Sequence, residues 1–233
     1  MALFSTPLCD MHKTLRVLAH LLRYPDVVLR SHLGELSEAL HGEAALSDAR
    51  LAELDALLLR LGGRAAMDVE SDYVELFDRG RGTALHLFEH VHGDSRDRGP
   101  AMIDLIQTYE QAGLKLAPTE LPDHLSVVLE FASTQPAAQA REFLSETAHI
   151  VRAIFSALQK RQTPYACVLA AVLELAGEKA ESVAIAPEPD LDETWSEPEA
   201  FGGCSSQGQT KPGQPQPIQF VKTPSRPSQG VQA

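Results

Sequence analysis

The 233-residue chain is short of cysteine, of basic charge and of long apolar runs, and each shortage removes a class of function. Cys9, Cys167 and Cys204 form no CxxC pair, and three cysteines cannot complete an intramolecular disulfide set. Such usage fits a reducing compartment. Lysine and arginine number 20 against 32 acidic residues, a formal net charge of -12. A chain of that sign repels phosphate backbones and anionic membrane surfaces, so nucleic acid is not an expected partner; a basic peptide or basic protein face is. The most apolar run, residues 165–176, is too short to span a bilayer and reads as a buried core helix. The opening MALFSTPLCDMHKTL lacks the charged start and continuous apolar run of a secretory signal, so a cytoplasmic location is expected. Alternating strand patterns are missing too.

What is present is helical periodicity. Leu15, Leu18, Leu21 and Leu22 mark one apolar face, stopped by Pro25; Leu29, Leu33, Leu36 and Leu40 mark a second. Leu51, Leu54, Leu58 and Leu61 mark a third, opening at Ser47 as N-cap and ending at Gly62-Gly63. Val69, Tyr73, Val74 and Phe77 give a fourth, ended by Gly80. After the loop 79–82, Thr83 is expected to cap a brief helix carrying Leu85, Phe88 and Val91. Pro100 suits the first residue of the next helix, with Ile103, Ile106 and Tyr109 inward and Gly113 at its end; Pro122 suits the same role for a helix through Phe131. A long helix follows, burying Phe143, Leu144, Thr147, Ile150, Val151, Ile154 and Leu158. Thr163-Pro164 then opens 165–177, apolar almost all round and so expected at the centre. These patterns predict an all-α fold, a single bundle of roughly nine helices over residues 1–186. From Pro187 onward the chain is first acidic, then rich in Pro, Gln, Gly and Ser, a composition that buries too little surface to fold alone; residues 187–233 are expected to form a disordered tail.

Little in the chain suggests catalysis. Gly80-Arg81-Gly82 lacks the Lys-Ser/Thr of a phosphate-binding loop, and no serine sits in a nucleophile elbow. Cys167 lies in the most apolar helix, where a small buried hydrophobe is the default. One motif stands out. His86-Leu87-Phe88-Glu89-His90 spells H-x-x-E-H, which on a helix would place two histidines one turn apart with a glutamate able to act on metal-bound water. A zinc-dependent hydrolase using His86, Glu89 and His90 is therefore the alternative reading. Against it, no further carboxylate ligand is marked out by spacing.

Taken together, YVELFDRGRGTALHLFEHVHGDSRDRGPAMIDLIQTYEQAGL and ELPDHLSVVLEF resemble the nitrate reductase delta subunit family, the molybdenum cofactor assembly chaperones within the wider molybdoenzyme-specific chaperone group. The later stretch LDETWSEPEAFGG is similar to that family's C-terminal region through Trp195, Glu197, Pro198 and Phe201. After the Tyr-x-x-x-Phe element the wider group tends to be proline-rich; TALHLFEHVH here favours the nitrate reductase branch. The resemblance implies a non-catalytic, monomeric partner of the nitrate reductase catalytic (alpha) subunit, engaging its N-terminal segment before cofactor insertion and retaining no cofactor itself. On that reading a groove of apolar anchors and charged rim would hold the client. Its expected residues are Tyr73, Phe77, Phe88, Glu89, His90, His92, Asp123 and His124, with Trp195 of the tail as an additional anchor. Aromatics at helical spacing are more often core than contact, whereas a cluster of polar groups is costly to bury unpaired and suits a rim. Arg79, Arg81, Arg96 and Arg98 flank the histidine segment, either as ordinary surface charges or as partners of Glu89 and Asp94 that would fix the loops.

Overall fold

A computed structural model describes residues 10–93 and 95–184, and the expected tail, Trp195 included, lies outside the described residues. Among the described residues the chain is helical, with ten α-helices and, in place of any strand, one isolated antiparallel bridge between His86 and His124. Helix α1 (His12–Leu21) buries Leu15, Leu18, Leu21 and the following Leu22 completely, as its periodicity predicts. Its start has no local side-chain cap. Glu43, about 30 residues further along the chain, accepts hydrogen bonds from the Lys13 and Thr14 amides at 3.0 and 2.6 Å and satisfies two first-turn donors from a distance.

The second apolar face is divided between α2 (Val27–Ser31) and α3 (Leu33–Glu43). The break falls where the Ser31 hydroxyl and the His32 ring both engage the Val28 carbonyl, at 2.7 and 2.8 Å, so side chains compete there with the helical ladder. Helix α4 (Asp48–Gly63) follows its predicted limits and buries Leu57 as well as the four expected leucines. Helix α5 (Ala66–Tyr73) passes into a π-helical turn, Val74–Asp78, and then a 3-10 turn, Arg81–Thr83.

Next come α6 (Leu87–His92), α7 (Arg98–Gln111) and α8 (Leu125–Ser133), where the observed helix starts differ from the predicted ones. Thr83 does not cap α6; it is buried, and its hydroxyl bonds the Leu76 and Gly80 carbonyls, leaving His86 at the N-cap. Helix α7 begins two residues before Pro100. It buries Tyr109 but leaves Ile103 56% exposed, because its inner side meets a small satellite cluster of Tyr109, Val127 and Phe131 with Leu105 packed against it. Pro122 precedes α8 without opening it, and His124 is the N-cap.

Helix α9 (Ala137–Lys160) spans 24 residues and packs along α10 (Ala166–Ala176), while α1 packs against α8. Nearly every residue of α10 is buried, which matches its unbroken apolar sequence. It stops at Gly177, whose φ of +81° permits the Glu178 amide to reach back to the Leu173 carbonyl at 2.8 Å. No helix among the described residues is long and apolar enough to cross a membrane.

Candidate functional site

Two stretches 37 residues apart meet at the start of α6. The Leu125 amide donates to the Leu85 carbonyl at 2.8 Å, and the Leu87 amide to the Asp123 carbonyl at 3.0 Å. This short extended pairing sets His86 against His124, their rings edge to face with centroids 5.0 Å apart. Asp123 is fully buried beneath them. Its Oδ2 accepts the Phe88 amide at 3.2 Å, its Oδ1 lies 3.4 Å from His86 Nδ1, and Arg98 Nη2 stands 3.6 Å from Oδ2. The carboxylate thus caps α6 from another part of the chain, at the end where the helix dipole favours negative charge. Arg98 also reaches Glu89 Oε1 at 3.5 Å, tying the start of α7 to α6.

The electrostatics follow from that geometry. The hydrogen bond that His86 donates to Asp123 outweighs burial and holds His86 above the ordinary histidine value. Burial alone would raise the Asp123 carboxyl, but the hydrogen bond and charge of His86, the Phe88 amide and Arg98 together keep it below the usual range. His124 moves the other way. Burial first, then the neighbouring His86, lowers it to about 4, and its Nδ1 stays an acceptor for the Ser126 amide at 3.3 Å at the head of α8.

Above this network lies a cavity of about 290 Å³ bordered by Tyr73, Phe77, Arg79, His86, Glu89 and His124. Tyr73 and Phe77, only 6% and 5% exposed, are core residues that form its floor rather than freestanding groove contacts. Their rings, from the end of α5 and the π-helical turn that follows it, are 4.8 Å apart, and the Tyr73 hydroxyl donates to the Leu22 carbonyl at 2.8 Å. Among the expected residues Glu89 is the exposed member of the rim, beside the more exposed Arg79. The remaining expected residues fall outside the cavity. Phe88 packs edge to face on His92 at 5.7 Å, His90 bonds the Ala84 carbonyl at 2.8 Å, and Asp123 supports the site from below. Arg98 was legible as a partner of Glu89, but its reach to Asp123 was not. Gly80 was legible only as the end of the fourth helical pattern, and Arg161, whose guanidinium lies against it, carried no sequence signal.

The geometry does not suit a zinc pair. His86 precedes α6 in extended backbone, φ −89° and ψ 107°, so it does not share a helix face with His90. Each imidazole is directed elsewhere, His86 to Asp123 and His90 to a main-chain carbonyl, while Glu89 pairs with Arg98. Among the described residues no three His, Cys, Asp or Glu side chains are grouped so as to hold a metal. Cys167 is buried, and burial pushes its thiol up to about 12, the behaviour of a core hydrophobe rather than a nucleophile.

Comparison with known proteins gives a consistent picture. Residues 41–171 match the family described as nitrate reductase delta subunit. The chain is 40% identical over 191 residues to the nitrate reductase molybdenum cofactor assembly chaperone NarJ of Escherichia coli K12, covering 78% of this chain and 81% of that protein. It is 36% identical over 198 residues to NarW of the same strain, named for the same assembly role, covering 84% and 82% respectively. The crystal structure of a redox enzyme maturation protein from Archaeoglobus fulgidus shares the fold, with a TM-score of 0.51 at 21% identity, over 76% of this chain and 98% of that one.

Proposed function

The chain belongs to the nitrate reductase delta subunit family, and from that premise we propose that it is a non-catalytic assembly chaperone for a respiratory nitrate reductase. It acts as a monomer in the cytoplasm, binds the catalytic (alpha) subunit through that subunit's N-terminal segment, and keeps it competent for molybdenum cofactor insertion and complex assembly. It is absent from the finished enzyme, and the cofactor belongs to the client.

The observation that carries this reading is similarity extending over about four-fifths of both chains to a protein named for that assembly role. The cavity over Tyr73 and Phe77 supports it physically. An aromatic floor under a rim of Glu89, His86 and His124 offers an apolar seat beside titratable groups, and the acidic chain attracts a basic segment. Trp195 is proposed as an additional client contact.

The test is co-purification of the full chain with the cofactor-free catalytic subunit. A stoichiometric complex is expected, lost when the client's N-terminal segment is deleted, and cells without the chain should accumulate inactive catalytic subunit. Full nitrate reductase activity in such cells would overturn the reading.

A further inference from the structure

A second groove lies between α4 and the α9–α10 turn, with other lining residues than the α6 cavity, although the Tyr165 ring at its edge packs against Tyr73 and Phe77 at 6.2 and 5.2 Å. It consists of two adjoining hollows of about 430 and 780 Å³ that share Leu57, Arg60, Thr163 and Pro164 as a common wall. Phe155 and Cys167 extend the apolar lining of the larger hollow. The smaller is bordered by Tyr165, whose side chain is 4% exposed and whose hydroxyl is buried without a hydrogen-bond partner. A buried hydroxyl left unsatisfied is destabilising, and among the described residues this one is a donor facing no acceptor.

The charges in the groove favour one kind of acceptor. Each carboxylate there already holds an arginine: Glu53 pairs with Arg50, Asp72 with Arg64, and Glu75 with Arg79 at 2.8 Å. Arg60 makes only a 4.0 Å approach to Asp72 and is 52% exposed. On a chain of net charge -12, this groove therefore presents a cation beside an apolar wall and a hydroxyl donor. A basic segment of the kind the α6 cavity suits would meet Arg60 as a like charge.

We propose that this groove is a docking surface for an acidic, extended segment of a partner protein. A carboxylate of the segment pairs with Arg60, an apolar side chain packs against Leu57, Phe155 and Pro164, and a carbonyl or carboxylate oxygen accepts the Tyr165 hydroxyl. The inference differs from the client reading in its ligand, which carries the opposite charge, and in Arg60, which lines no part of the α6 cavity.

The experiment uses the full chain and a labelled twelve-residue peptide rich in Asp and Glu with a single Trp, followed by fluorescence anisotropy. Saturable binding is expected, weaker by about tenfold for the matching Asn/Gln peptide and by about fivefold for Arg60→Ala, the latter being about 1 kcal/mol. Tyr165→Phe separates ligand contact from structural support. It should lose about threefold in affinity while its thermal midpoint holds or rises, since the hydroxyl removed satisfies nothing in the fold. Equal binding of the neutral peptide, unchanged affinity in both variants, or no binding to about 1 mM would overturn the proposal. So would a lower midpoint for Tyr165→Phe, or a concentration-dependent dimer that Arg60→Ala dissolves, which would make a second copy the occupant.

Discussion

Asp123 shows how one buried carboxylate can organise a site without being exposed in it. It draws the start of α6, the His86 ring and Arg98 onto a single side chain. Asp123→Asn keeps an oxygen for the Phe88 amide but removes the charge that Arg98 and His86 answer. Breaking a buried pair of this kind costs about 3 kcal/mol, a loss that should appear in the urea midpoint at neutral pH. His124 makes a second prediction. Its folded value of about 4 lies below the ordinary 6.5, so as pH falls through that window the unfolded chain takes a proton that the folded chain refuses, and stability declines. His86, held above its ordinary value, acts in the opposite sense and contributes stability that is full below the ordinary value and lost as pH rises through the raised one. His124→Asn retains an N-cap acceptor for the Ser126 amide while removing the titration. Urea midpoints compared at about pH 7 and about pH 5 should fall for the parent and fall less, or not at all, for the variant. Equal falls would show that His124 does not set the acid limit.

At the scale of elements, sequence was informative wherever a helix has one solution. Helix α10 is apolar all round and can only be interior, and α1 with the Leu22 that follows it carries four leucines on one stripe. Helix α7 has two solutions. Leu105 with Tyr109 and Ile103 with Ile106 are both apolar pairs at helical spacing, and only packing against Val127 and Phe131 selects the first. The caps of α1 and α6 were illegible for a related reason: Glu43 and Asp123 lie 29 to 35 residues from the amides they satisfy, beyond any local motif. The candidate site was correspondingly half legible. Its aromatic floor and Glu89 rim could be named from the sequence, but the pairing of His86 with His124 arises only when two distant stretches meet. The turn leading to α6 depends on Gly80. A Cβ there would lie against the Arg161 guanidinium and 2.6 Å from the Thr83 hydroxyl. Arginine can swing aside, giving up its 3.5 Å bond to the Leu76 carbonyl, but Thr83 is short, buried and itself bonded to that carbonyl. Gly80→Ala should therefore cost about 1–3 kcal/mol in thermal or urea unfolding. A change within about 0.5 kcal/mol, the usual range for a surface substitution, would mean that the loop shifts without resistance.

For the molecule as a whole, acidity and shape make separate contributions to partner choice. On the proposed function, an excess of 12 negative charges would act at long range to bring a basic client segment to the surface, whereas an apolar seat over Tyr73 and Phe77 would act only after contact. Salt distinguishes the two, because the screening length shrinks from about 10 Å at 0.1 M to about 3 Å at 1 M while apolar burial is not screened. Binding of the client's N-terminal peptide should weaken several-fold between about 0.05 and about 0.5 M salt, mainly through slower association, with the dissociation rate changing less. Glu89→Gln removes one rim charge among many and should shift association by less than about threefold, without abolishing binding. Stopped-flow fluorescence on the full chain resolves both rates. Association insensitive to salt would mean that the chain's acidity serves solubility rather than recognition, leaving the apolar seat to account for client choice.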